Sequence, residues 1–213
     1  FLQWLPGTMD ILSHDKKKEE AEAATRNADL LLCLDFNDAS RTAELEPLIT
    51  ESTAHKVLID HHLNPTVDAD ISVSHPEACS TCELVFRLIW QLGGFEEMEK
   101  DVAVPIYCGM MTDTGGFTYN SNRPEIFFII SQLLTKGINK DKIYRNVINN
   151  YSLWRLRLMG YVMYTKLNVF AEYHAAYFTL TRRDLKHFHF MKGDAEGLVN
   201  MPLQIKGMKL SIS

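Results

Sequence analysis

The sequence predicts an α/β protein whose larger part is built on a parallel, Rossmann-like sheet. Three observations carry this. Leu30 to Leu34 is a continuous apolar run closed by Asp35, and Lys56 to Ile59 repeats the design, closed by Asp60, His61 and His62. Between them lies a helix-like stretch, Thr42 to Thr50. Buried parallel strands read as unbroken apolar runs because both faces are covered. Strand, helix, strand with polar residues at the carboxyl ends is the layout of a doubly wound sheet, where sites form outside those ends.

The other elements follow in order. Residues 15–28 read as a solvated helix, since Lys16, Lys17 and Lys18 are answered by Glu19, Glu20 and Glu22. Asp70 to Val73 is a third strand. Thr81 to Leu92 has helical periodicity, Ser80 or Thr81 to cap it and Gly93-Gly94 to end it. Residues 100–111 predict a buried helix with Pro105 near its first turn, leading into a tight polar turn over Thr112 to Gly116. Residues 124–136 predict a helix with Pro124 at its first position, and Asp141 to Asn149 another. Leu153 to Leu167 predicts one long helix, apolar on one side and partly basic on the other, suited to a linker or interface. Beyond it, Asn168 to Ala171 and Ala175 to Leu180 alternate as strands do, and a helical turn starts at Arg182. The expected division is residues 1–152 for the site-bearing domain, 153–167 for the linker helix and 168–213 for part of an α/β domain. The apolar opening Phe1, Leu2, Trp4, Leu5 lacks an initiator Met, so residues upstream are expected.

Of the 213 residues, 46% are apolar and 23% charged, which supports one substantial core plus a smaller unit and excludes a disordered chain. The net charge of −5 gives no electrostatic footprint for duplex nucleic acid. A small anionic substrate stays open, because metal ions neutralise it locally. No apolar run approaches the length of a membrane span. Cys33, Cys79, Cys82 and Cys108 with no leader pattern predict a reducing, cytoplasmic home. Cys79 and Cys82 have zinc-like spacing but no second such pair, and read better as small thiols near a helix start.

The chemistry concentrates at three turns. A carboxylate at Asp35, directly after a buried run, is costly unless it is paired, hydrogen-bonded or metal-bound. In Asp60-His61-His62 one imidazole can bind a metal, the other can face a substrate, and the aspartate can fix a tautomer. Asp113 precedes Gly115-Gly116, which permits close approach of backbone to a ligand. Hard oxygen donors with imidazole suit Mn²⁺ or Mg²⁺. Three carboxylates and two histidines exceed the needs of one ion, so a pair of ions about 3.5–4 Å apart is expected, with Asp35 as the bridge. His14 and Asp15 are the only early candidates for further ligands. Arg41 and Arg123 follow the Asp35 and Asp113 turns and read equally as phosphate contacts or as surface or carboxylate-paired arginines. Ser80 and Thr81 could present backbone N–H groups or hydroxyls to the site, with helix capping the simpler role.

At these residues the chain resembles the DHH phosphoesterase superfamily, and within it the NrnA-like branch of bifunctional oligoribonucleases and 3′-phosphoadenosine 5′-phosphate phosphatases. The ordered set LDFND, IDHH, TDTGGF and GDAEGLVN carries the likeness. The resemblance implies a DHH catalytic domain joined by a helix to a C-terminal substrate domain that is incomplete here. It implies Asp35, His61 and Asp113 as metal ligands, Asp60 in support and His62 facing substrate, and it assigns Arg41 to structure or substrate; Arg123 and Ser80 stand as candidate substrate contacts from their positions alone. The implied reaction is attack of metal-activated water, with two Mn²⁺ ions, on short single-stranded RNA or a nucleotide. Neither duplex nucleic acid nor a membrane is an expected partner, and a homodimer is left open. The family's first motif would lie before Phe1, and its glycine- and histidine-rich motif after Ser213. Hydrolysis of a cyclic dinucleotide, pyrophosphate or polyphosphate, a non-catalytic nucleotide- or metal-binding module, and a purely structural domain remain as alternatives.

Overall fold

The computed structural model describes residues 2–213; Phe1, which opens the apolar start, lies outside them. The chain divides into two compact units, the first ending at Val147 and the second running from Ile148 to Ser213. A Rossmann-like parallel sheet followed by helices forms the first unit, and the second carries a smaller sheet of its own.

In the first unit α1 (Lys18–Arg26) leads into β1 (Leu30–Leu34), and β2 (His55–Asp60) and β3 (Ile71–Ser74) complete a sheet in the order β1-β2-β3. All pairings are parallel, with Leu34 opposite Ile59 and Asp60 opposite Ser74. This register ends β1 and β2 side by side, so Asp35 and His61 leave the sheet as neighbours. The Asp35 N–H donates to the Ile59 carbonyl at 3.2 Å, extending the ladder to the residue that matters. β2 is central and buries Leu58, Ile59 and Asp60. The apolar run of β1 predicted cover on both faces; among the described residues β1 is the outermost strand of the sheet. There it buries only Cys33, leaving Leu30, Leu32 and Leu34 exposed.

The helix predicted over residues 42–50 is instead a 3-10 turn, Ala39–Leu45, followed by the short α2 (Glu46–Glu51). Ala43 at φ 53 breaks the winding inside the 3-10 segment. Pro47 then sits in the first turn of α2, where its missing N–H would have had no partner.

Helices α3 (Thr81–Gln91), α4 (Lys100–Asp113), α5 (Pro124–Thr135) and α6 (Lys140–Val147) build the main core around Phe86, Ile106, Met110, Met111, Ile126 and Leu133. α4 runs further than expected, so Asp113 ends a helix instead of lying in a turn, and Pro105 sits inside the helix beyond its first turn. Thr114 explains the stop. Its hydroxyl donates to the Met110 carbonyl at 2.7 Å and accepts the Phe117 N–H at 2.9 Å, while Gly115 and Gly116 turn the chain at φ 55 and 75. α3 and α4 come together at Gly109, where an added Cβ would collide with the Cys82 sulfur.

In the second unit, Ser152 caps α7 (Leu153–Tyr161) by accepting the Arg155 N–H. The single long helix expected here changes winding at Val162: residues Val162–Lys166 form a π turn closed by the Leu167 N–H on the Val162 carbonyl. β4 (Asn168–Phe170) pairs antiparallel with β5 (Ala175–Tyr177), and β5 pairs parallel with β6 (Leu210–Ile212). Leu158 and Val162 join Phe178, Phe188 and Leu198 in one core, so α7 packs as part of this unit. Thr181 and Asp184 form a capping box at the start of α8 (Arg182–His187). The Thr181 backbone N–H and hydroxyl, with Lys166, hold the buried Asp184 carboxyl well below the ordinary range.

Two predictions follow from this packing. Gly109→Ala should destabilise the first unit by about 1–3 kcal/mol through overpacking, measured by urea unfolding, and adding Cys82→Ala should restore part of the loss. Because the folded Asp184 pKa lies below its unfolded value, its contribution is complete above about pH 4 and fades as pH falls. Amide exchange in α8 should therefore be faster in Asp184→Asn than in the parent at neutral pH, with the difference vanishing in strong acid.

Candidate metal centre

The parallel register delivers Asp35 from the end of β1 and Asp60, His61 and His62 from the end of β2, and α4 brings Asp113 to the same place. His61 Nε2 stands 3.6 Å from Asp35 Oδ1 and 3.9 Å from Asp113 Oδ2. Two atoms each about 2.1 Å from a shared ion cannot be more than about 4.2 Å apart, and both separations satisfy that limit. Asp35, His61 and His62 offer ligand atoms that all lie within 4.8 Å of one another, so a small side-chain adjustment brings the three within reach of one divalent ion. His62, assigned by resemblance to substrate, thus stands within the same group, with Asp113 at its rim.

Hydrogen bonds decide which nitrogens are available. His61 Nδ1 lies 3.3 Å from the Ala78 carbonyl, to which only an N–H can donate, so its lone pair is on Nε2 and faces the carboxylates. His62 Nδ1 donates to Asp60 Oδ1 at 2.7 Å, which leaves Nε2 as its free atom. Asp60 is wholly buried, and its second oxygen accepts the His62 backbone N–H at 3.1 Å. Its geometry is that of a tautomer-fixing residue, and water cannot compete for it.

Asp35 is held differently. It adopts a left-handed backbone, φ 66, which aspartate tolerates better than most residues. Burial, then the neighbouring Asp35, raise the Asp113 carboxyl above its ordinary value against the pull of His61 and His62. A cluster in which one carboxylate disfavours the charge of the next fits a cation, which would relieve both. The thiols do not contribute. Burial, with Asp113 and Asp35 adding to it, pushes Cys82 up to about 12, and burial with Glu83 pushes Cys79 up to about 12. All four cysteines are free.

Of the remaining residues singled out in the sequence, Thr81 reaches this group, its hydroxyl donating to Asp35 Oδ1 at 2.8 Å, and those that follow stand away from it. Ser80 is buried and caps α3, its Oγ accepting the Glu83 N–H at 3.1 Å. Arg123 donates to both oxygens of Glu83 at 2.7 Å, which makes it the carboxylate-paired arginine of the two readings given above. Arg41 is exposed, its nearest polar partner being Asn37 Oδ1 at 3.5 Å. His14 lies in a charge network with Glu22 and Glu44, in which Lys18 and Arg26 supply the cations.

Sequence reading missed the scaffold around the ligands. Glu83 is wholly buried and also accepts the Cys79 N–H at 2.7 Å and Arg87 at 2.6 Å. Burial alone would push its carboxyl up, but the Cys79 N–H and Arg123 bring it below the ordinary value. Ser80 and Glu83 have the Ser-x-x-Glu spacing of a capping box, so this signal was present. The two strand-end loops are laced together as well. Asn37 Nδ2 donates to the Leu63 carbonyl at 2.7 Å, and the Thr66 N–H donates to the Asn37 carbonyl at 2.7 Å. No short motif announces that contact.

A model of the DHH family, N-terminal domain, matches residues 3–110. Among solved structures, an exopolyphosphatase-related protein from Bacteroides fragilis is 51% identical, with a TM-score of 0.95 over 97% of this chain and 61% of its own. An uncharacterized Mycoplasma pneumoniae protein is 29% identical over 58% of this chain and 36% of its own length. The bifunctional oligoribonuclease and PAP phosphatase NrnA of Thermus thermophilus is 32% identical over 38% of this chain and 24% of its own. The chain therefore spans well under two thirds of these curated relatives.

Removing the buried carboxylate by Glu83→Ala should cost about 3 kcal/mol, at the low end for a buried pair because both arginines reach water. Urea unfolding should also find Arg123→Ala milder, since Arg87 still pairs with Glu83.

Proposed function

This chain belongs to the DHH family, and from that membership we propose that it is the metal-binding part of a phosphoesterase acting on short oligoribonucleotides or 3′-phosphoadenosine 5′-phosphate. The observation that carries the reading is the meeting of Asp35 and Asp113 on His61 Nε2, at 3.6 and 3.9 Å, at the rim of a parallel sheet. Likeness to the Thermus oligoribonuclease and phosphatase supports the substrate class.

In this reading Asp35, His61 and Asp113 hold the ion, and the exposed Asp35 carboxylate is available to bridge to a second. A bound divalent ion, Mn²⁺ or Mg²⁺, activates water at neutral pH and neutralises phosphoryl oxygens. Asp60 keeps His62 in the tautomer that leaves Nε2 free beside the group, so that this ring, once protonated, can donate to the phosphoryl group. Ala78 keeps the His61 lone pair directed at the carboxylates. The net charge of −5 suits a short, metal-neutralised strand better than a duplex. No helix among the described residues is long and apolar enough to cross a membrane.

A second reading, hydrolysis of polyphosphate, is favoured by the 51% identity to the exopolyphosphatase-related protein. Both are tested by giving the full-length protein a ribodinucleotide, 3′-phosphoadenosine 5′-phosphate and polyphosphate, each with and without Mn²⁺. Mononucleotide or phosphate release from the first two, dependent on Mn²⁺, is the expected result; turnover of polyphosphate alone selects the second reading. Asp35→Ala should reduce turnover to background while the fold persists, and undiminished turnover would refute the metal centre.

A further inference from the structure

The Asp35 carboxylate receives one side-chain hydrogen bond among the described residues, and its donor is no metal ligand. Thr81 Oγ1 donates to Asp35 Oδ1 at 2.8 Å. Thr81 is the first residue of α3, a position whose side chain commonly serves the helix end. Here that task belongs to Ser80, whose Oγ accepts the Glu83 N–H. The Thr81 hydroxyl is thus free to turn toward the site. It is nearly buried, at 5% exposure, and β-branching stiffens its χ1, so its direction is set before any ligand arrives. Asp35 needs such a partner, because its side chain is 59% exposed and the His61 contact at 3.6 Å is too long for a hydrogen bond.

The same short segment serves His61 through the Ala78 carbonyl, which also accepts Asn120 Nδ2 at 3.4 Å. The anchor beneath it is Glu83 with Cys79, Arg87 and Arg123.

We propose that Thr81 is the positioning residue for Asp35, its hydroxyl holding the carboxylate in the orientation that keeps Oδ1 3.6 Å from His61 Nε2, ready for a shared cation. The proposal rests on the metal reading above and adds a residue outside the ligand set. Partners of metal ligands typically contribute 10–100-fold in affinity, and Thr81→Val removes the hydroxyl while nearly conserving shape.

The test is calorimetric titration of Mn²⁺ into the full-length parent protein, Thr81→Val, Thr81→Ser and Asp35→Ala, with thermal unfolding of each metal-free protein. Thr81→Val should weaken Mn²⁺ binding about 10–100-fold at a metal-free Tm close to the parent's, and Thr81→Ser should bind as the parent does. Affinity within twofold of the parent for Thr81→Val, or equal weakening in Thr81→Ser, would overturn the proposal. Should Thr81→Val not fold, Thr81→Ala against Thr81→Ser makes the same comparison. Parent-like binding by Asp35→Ala would reject the metal reading itself; loss there with parent-like Thr81→Val rejects only the positioning role.

Discussion

Glu83 carries its carboxylate with no exposure to solvent, a placement sustained by the Cys79 N–H and two guanidinium groups, Arg87 and Arg123. A buried charge without such partners would cost several kcal/mol. Its position at the start of α3 makes it the joint of the whole centre. From that joint the chain turns through Ala78, Cys79, Ser80 and Thr81, and each side of the turn reaches a different candidate ligand. Arg123 ties in the segment that follows Asp113. Elements far apart in sequence therefore share one anchor, and the geometry of the rim depends on a group that never touches it.

The centre is a concentration of like charge. Asp35 and Asp113 both lie within 3.9 Å of one imidazole nitrogen, and Asp60 is wholly buried against the other ring. Asp60 is compensated by two hydrogen bonds from His62. Asp113 has no such compensation, and burial beside Asp35 disfavours its charge. A site that is electrostatically unsettled where it faces outward and settled where it faces inward is arranged to gain from a cation.

Much of this was legible in the residues. The apolar runs ending at Asp35 and at Asp60-His61-His62 gave the parallel sheet and the end at which the side chains gather, because strand period and burial are local properties. The same locality misled over residues 42–50, where a backbone reversal at Ala43 has no signature in composition. Arg123 had two readings because an arginine's partner is a tertiary fact; the choice needed Glu83, forty positions away in sequence. Thr81 was visible as a helix-start residue, yet only coordinates separate its hydroxyl from that of Ser80.

The left-handed backbone at Asp35 narrows what evolution can try there. A longer acidic side chain would keep the charge but move it outward by a methylene, past the Thr81 hydroxyl, and it suits that backbone region less well. Asparagine keeps the conformation and forfeits the charge, and glycine keeps only the turn. Among the twenty amino acids a single one joins reach, negative charge and tolerance of φ 66. Substitution here therefore forfeits something in every case, and a variant that loses this aspartate keeps the architecture while giving up a carboxylate of the candidate centre.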